Sequence, residues 1–192
     1  MSKKTYTTAV VLIPPEDCWE PIQKIRRLHD RKLRHWMPHI TLIYPFRPQE
    51  TFDELAPQMA EVCQPFAPID LRLVEFRHFH HRGPSYTVWL LPEPAEALVQ
   101  LQAALQNVVP DCDEVSHHAH GFTPHLSIGQ ARGYDTMSVL KRTLQAYWEP
   151  LSFAAREISL LWRDNPPDDV FRVDRTIALE GQSGGPDPDH AS

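Results

Sequence analysis

Two octets of this 192-residue chain are near copies of each other: Trp36-Met37-Pro38-His39-Ile40-Thr41-Leu42-Ile43 and Phe122-Thr123-Pro124-His125-Leu126-Ser127-Ile128-Gly129. Each reads aromatic, any residue, Pro, His, aliphatic, hydroxyl, aliphatic. The alternation is that of a β-strand, on which a His and a hydroxyl two positions apart share one face, about 6.6 to 6.8 Å apart along the backbone. One such pair constrains little. Two of them, 86 residues apart, require a chain that builds the same local structure twice.

The flanking segments repeat in the same order. Runs at Thr7 to Ile13 and Tyr86 to Leu91 end at prolines and are followed by helix-like stretches over 19–33 and 95–108, and then by the His motifs. After each motif comes a further helix, near 52–63 and 136–148, and a long strand candidate, 69–80 and 151–162. Turns at Arg82-Gly83-Pro84 and Asn165-Pro166-Pro167 lead into returning strands over 85–91 and 170–179. A period this long marks a duplicated lobe rather than a solenoid. The pattern predicts an α+β protein with one pseudo-symmetric bilobal domain over residues 1–180. The lobes cover roughly 1–84 and 85–180, and strand exchange between them is allowed. Residues 181–192 have no large apolar anchor and are expected to be disordered.

Strict alternation puts His39, Thr41 and Ile43 on one strand face and Ile40, Leu42 and Tyr44 on the other; likewise His125, Ser127 and Gly129 oppose Leu126 and Ile128. The aliphatic faces belong in a core, so the imidazoles and hydroxyls face a cleft. Gly129, lacking a side chain, would admit a ligand close to the backbone. Arg132, three residues on, would either pair with a phosphate at the cleft mouth or stand in solvent.

Two imidazoles and two hydroxyls suit in-line displacement at phosphorus. Imidazole has an ordinary pKa near 6.5, so one ring can take a proton from the attacking oxygen while the other protonates the leaving oxygen. Thr41 and Ser127 would hold the non-bridging oxygens as neutral donors. This chemistry calls for no metal or cofactor. The remaining histidines gather at His78, His80 and His81 and at His117, His118 and His120 near Cys112, without the spacing of a zinc site. The first group reads as a solvated strand face and the second as a polar turn. Trp36, Phe122, Tyr86, Trp89 and Trp162 are candidates for stacking on a base, as well as for the core.

No apolar run approaches the roughly 18 residues of a membrane span. The run Ala9 to Ile13 is too short for a signal core and meets Pro14-Pro15 at once. Cys18, Cys63 and Cys112 are odd in number and scattered, which points away from a disulfide framework and toward a reducing cytoplasm. A net charge of −6 argues against wrapping long nucleic acid but not against binding a nucleic-acid end. The cationic segment containing Lys24, Arg26, Arg27, Arg31, Lys32 and Arg34 is either a solvated helix face or a phosphate-attracting patch.

The paired His-x-Thr/Ser strands, their separation and the duplicated element order resemble the two-histidine (2H) phosphoesterase superfamily, over about residues 5–180. That superfamily includes 2'-5' RNA ligase-like proteins and RNA 2',3'-cyclic phosphodiesterases. The resemblance implies two antiparallel sheets lining a central cleft, with helices outside. It also implies metal-independent hydrolysis of the 2',3'-cyclic phosphate of an RNA end or a small cyclic nucleotide, to a 2'-phosphate. By the same likeness His125 is the base that activates water and His39 the acid, although pseudo-symmetry lets either lobe play either part. Thr41 and Ser127 bind phosphate. Serine at the second motif departs from the threonine pattern and loses the methyl that restrains the rotamer. The alternatives are a non-catalytic nucleotide- or RNA-binding module using the same cleft, and RNA end trimming or 2'-5' ligation. No obligate protein partner is evident, and a monomer is expected.

Overall fold

The computed structural model describes residues 3–117 and 121–181; His118, His120 and the tail from residue 182 lie outside the described residues. Its elements run β1 (Thr8–Leu12), α1 (Trp19–His29), β2 (Ile40–Ile43), α2 (Phe52–Cys63), β3 (Ile69–His80), β4 (Ser85–Glu93), α3 (Ala95–Val108), β5 (Leu126–Arg132), α4 (Tyr134–Tyr147), β6 (Leu151–Ala155), β7 (Glu157–Trp162) and β8 (Arg172–Ala178). Period and turn chemistry locate nearly all of them. The helix expected to reach residue 33 stops at His29. There the Asp30 carboxylate accepts from Arg26 Nε at 2.8 Å and from the Lys32 backbone N–H at 2.8 Å, which turns the chain out of the helix.

The strands form one antiparallel sheet in the order β6-β3-β4-β5-β2-β1-β7-β8. The two sheets implied by the resemblance are halves of this one. They meet at β2 and β5 through the pair Ile40 opposite Leu126. β3 lies with β4 and β5, whereas β7 and β8 return from the end of the chain to pair beside β1, so the sheet divides differently from the chain.

Segment 151–162 is not one strand. It breaks at Arg156, where β6 leaves its partner β3 and β7 takes up pairing with β1. β6 is one edge of the sheet and β7 is next to the other, yet a single residue joins them. The sheet must therefore curl until its ends approach, as twisted sheets do when they begin to close.

All four helices pack on one face. Ile22, Met59, Leu98, Leu101, Leu105 and Met137 meet the strand residues Val10, Leu12, Ile40, Leu42, Leu126 and Ile128 in the main core. On the opposite face a second, smaller cluster joins Ala9, Val11, Leu161 and Phe171, with Trp36, Met37 and Tyr44 packed against it. Among the described residues no helix is long and apolar enough to cross a membrane.

Candidate active site

Both His motifs sit at the junction of the sheet halves. Ile40 and Leu126 are directly opposite and fully buried in the main core. The neighbouring positions in the same antiparallel register place Thr41 across from His125 and His39 across from Ser127. Opposed residues share a face with Cβ atoms about 4.5 to 5.5 Å apart, so these residues share the face turned away from the helices. Each imidazole has the hydroxyl of the other motif as its cross-strand neighbour.

The two rings are held alike. His39 Nδ1 lies 2.7 Å from the carbonyl of Met37, and His125 Nδ1 lies 2.8 Å from that of Thr123. A carbonyl only accepts, so Nδ1 carries the hydrogen in both rings, and Nε2 is the nitrogen that can accept a proton. The proline between each His and its carbonyl has a set φ, which favours this tight return.

Their surroundings differ. His39 stacks on Trp36, with centroids 4.4 Å apart and planes 20° apart, and Trp36 stacks on Phe171 at 3.6 Å. Burial pushes the His39 imidazole down to about 4; the Met37 carbonyl opposes the shift, the charges of Arg26 and His125 add to it, and Asp30 resists it. His125 instead meets Phe79 edge-on at 4.9 Å and Trp89 at 5.8 Å.

A β-bulge follows each hydroxyl, and alternation alone does not predict it. Val11 pairs with Thr41 but Val10 with Ile43, so Leu42 has no counterpart; Trp89 pairs with Ser127 but Val88 with Gly129, so Ile128 has none. The extra residue reverses the parity beyond it. Ile43 turns into the main core, and Tyr44 turns out to join Trp36, at 5.6 Å. Gly129 likewise leaves the site face, correcting its expected role beside a ligand. A Cβ there would stand 2.6 Å from His29 Cβ and 2.9 Å from the His29 carbonyl oxygen, so the missing side chain makes room for the end of α1. Arg132 is exposed at the far end of β5, opposite Ser85.

The cationic segment is not a uniform face. Arg26 is buried; it pairs with Asp30, donates to Gln23 Oε1 at 3.0 Å, and donates to the Trp36 carbonyl at 2.9 Å, thereby holding the residue that stacks on His39. Asp30 also accepts from Gln130 on β5 at 3.0 Å, tying α1 to the second motif. Arg27 pairs with Glu20 in solvent, and Arg34 with Asp169 at 2.6 Å.

A cavity of about 340 Å³ opens beside the second motif, lined by Thr41, Phe79, His80, His81, Val115, Phe122, Thr123 and His125. His80 and His81 are exposed, as expected of a solvated face, and also line the mouth of this cavity. His80 stacks on Tyr86 at 4.6 Å with Nε2 at 2.8 Å from the Gly83 carbonyl, and His81 Nε2 lies 2.8 Å from Thr87 Oγ1. The β3–β4 hairpin carries them to the mouth of the site. Trp89 stacks on Phe79 at 4.8 Å, and its buried indole nitrogen has no partner among the described residues. His117 pairs with Asp113 at 2.7 Å, and no group of three His, Cys, Asp or Glu among the described residues is arranged to hold a metal ion.

A curled antiparallel sheet with two His-x-Thr/Ser strands meeting at its centre and helices on one face is the architecture of the two-histidine phosphoesterases. The family model of the 2'-5' RNA ligase superfamily matches residues 14–167, and the chain belongs to that superfamily. The crystal structure of TT0787 from Thermus thermophilus is similar at a TM-score of 0.64 and 19% identity, covering 92% of this chain and 100% of that one. E. coli LigT complexed with 3'-AMP follows at 0.58 and 18%, covering 92% and 99%. A Geobacillus kaustophilus (strain HTA426) protein with a provisional phosphoesterase name is 25% identical over 122 residues, 63% of this chain and 67% of that protein.

Proposed function

We propose that this protein is a phosphodiesterase that hydrolyses the 2',3'-cyclic phosphate of RNA ends or small cyclic nucleotides to a 2'-phosphate, using His39 and His125 as an acid–base pair without a metal step. One observation carries the reading. Two imidazoles on facing strands are each locked through Nδ1 to the carbonyl two residues back, beside the hydroxyl of the opposite motif. That presents two proton-exchanging Nε2 atoms and two neutral donors to one phosphate. E. coli LigT, similar in fold, has been solved with 3'-AMP and with phosphate, which supports a nucleotide substrate for this chain too.

In this reading His39 is the base, the reverse of the order implied by resemblance. A ring held down to about 4 is neutral at pH 7, the form that accepts a proton. Nε2 of His39 takes a proton from water as its oxygen bonds to phosphorus. The bond from phosphorus to O3' breaks, its electron pair stays on O3', and His125 delivers the proton that makes the 3'-hydroxyl. Thr41 and Ser127 donate to the non-bridging oxygens as charge builds. The 2'-phosphate remains, and solvent exchange resets both rings.

The test is turnover of nucleoside 2',3'-cyclic phosphates in the presence of chelator. His39→Asn and His125→Asn are each expected to lose about 10² to 10⁴ in rate, the contribution of one acid or base, with an unchanged circular dichroism spectrum. Undiminished turnover in either variant would overturn the proposal, and nucleotide binding without turnover in the wild type would favour a binding module.

A further inference from the structure

β2 and β5 each carry one motif, yet the ladder between them is the single pair Ile40 opposite Leu126. On its other side β5 pairs with β4 continuously, from Leu126 opposite Leu90 to Arg132 opposite Ser85. A single pair is a pivot, because its hydrogen bonds hold two strands together at one point and leave the angle between them free. His39 and His125 stand on either side of this pivot, so the spacing of their rings depends on that angle. Something beyond the ladder must set it.

The end of α1 is placed to do so. Beyond Leu126 residues 29–31 lie against β5, with His29 over Gly129 and the Gln130 side chain bonded at both of its polar ends. Gln130 Oε1 accepts from the Arg31 backbone N–H at 3.0 Å, and its Nε2 donates to Asp30 Oδ1 at 3.0 Å. An amide can do both at once, whereas a carboxylate has no donor for Asp30 and an ammonium no acceptor for Arg31. From Asp30 the contacts continue to the other motif. Arg26 donates to Asp30 Oδ2 at 2.8 Å and to the Trp36 carbonyl at 2.9 Å, and Trp36 stacks on His39 at 4.4 Å. Gln130 stands five residues after His125 on the same strand. The path thus starts on one motif strand and ends on the imidazole of the other, and its middle, Arg26 with Asp30, is withdrawn from water, where polar bonds are stiff.

We propose that Gln130 is a positioning residue, which ties β5 to the end of α1 so that His39 and His125 keep the spacing at which both act on one phosphorus. The effect on rate rests on the acid–base reading of the two histidines, whereas the path from Gln130 to His39 stands apart from it. Misplacing a reacting group by about 1 Å lowers a rate by on the order of 10².

The experiment compares Gln130→Met, which keeps the side-chain length and loses both bonds, with Gln145→Met. Gln145 makes bonds of the same two kinds, accepting from the Phe76 backbone N–H at 2.8 Å and donating to the Val74 carbonyl at 3.0 Å, but it joins α4 to β3 within one half of the sheet. With uridine 2',3'-cyclic phosphate, Gln130→Met is expected to lower kcat about 10- to 100-fold with KM within about threefold of the wild type, while Gln145→Met changes neither by more than about threefold. The imidazole Cε1–H signal of His39 in NMR, assigned by its loss in His39→Asn, should move in Gln130→Met and stay in place in Gln145→Met. If Gln130→Met does not give the wild-type circular dichroism spectrum, Gln130→Glu replaces it with the same expectations, since it keeps the acceptor for Arg31 and turns a second oxygen toward Asp30. An unchanged kcat, a loss equalled by Gln145→Met, or an unmoved His39 signal overturns the proposal. If the wild type turns over no cyclic phosphate, a His39 signal that moves in Gln130→Met alone upholds the tie between the motifs while the catalytic reading falls, and an unmoved signal removes both.

Discussion

The half-site around His39 and the half-site around His125 share strand, bulge and ring anchor, yet they are supported differently. The first is anchored by a charged pair buried at the end of α1 at i and i+4, Arg26 with Asp30, their side chains only 2% and 3% exposed, although Asp30 also reaches β5 through Gln130. Beside Phe122 of the second, α3 carries a neutral pair with the same spacing, Gln102 with Gln106, bonded at 2.7 Å and closed by Ser116 at 3.1 and 2.7 Å. The charged pair holds the Trp36 carbonyl and so keeps the wall of His39 in place. The neutral network lies beside Phe122, which is left to line a cavity. Duplication supplies two equivalent imidazoles. The loops and the buried pairs make them inequivalent, as the directional reaction proposed above requires.

The sharpest way to break this comparison is to remove one partner of each pair. Arg26→Met leaves the Asp30 carboxylate buried and uncompensated and is expected to cost about 3 to 5 kcal/mol in urea unfolding. Gln102→Met strands no charge and should cost far less, near the 1 to 3 kcal/mol of an unmet polar group at about the most. Equal losses would show that the two supports are interchangeable.

The next effect concerns the desolvated ring. An imidazole in the unfolded chain takes its proton near pH 6.5, whereas His39 in the folded protein resists until about 4. Between those values the unfolded state binds more protons, so stability rises with pH and is lost on acidification through this window. The loss is on the order of 3 kcal/mol from this group. His39→Gln should flatten that part of the stability profile. A variant with the same slope between pH 6.5 and 4 as the wild type would place the desolvated group elsewhere.

Smaller changes probe the bulges and the rim. Gly129→Ala drives a methyl into His29 and is expected to cost about 1 to 3 kcal/mol, the price of overpacking; a neutral result would show that the end of α1 moves freely over β5. Arg132→Ala, exposed at the far end of β5, should change stability by less than about 0.5 kcal/mol. A large rise in KM in that variant would instead restore Arg132 as a phosphate contact.

Much of this was legible before folding. The octets contain the two histidines, the hydroxyls and the prolines that turn each ring onto a carbonyl, and strand parity puts His39 with Thr41 and His125 with Ser127. Helices α2 and α3 and strand β3 follow from hydrophobic period and turn residues alone, because their signals are local. Parity fails at Ile43 and Gly129. A bulge is a mismatch between two strands, so neither strand's own sequence displays it.

By itself, then, the amino-acid sequence determined that one structure is built twice and that two imidazoles and two hydroxyls are its polar yield, since spacing on a single strand is a property of that strand. Tertiary structure decided everything that depends on which segments meet. Pairing Ile40 with Leu126 set each histidine opposite the other's hydroxyl. The break at Arg156 split one apparent strand between two ends of a curled sheet. Aromatic packing half-buried His39 and left a cavity beside His125. Desolvation and cavity volume are sums over neighbours distant in the chain, and a motif carries no record of them until those neighbours are in place.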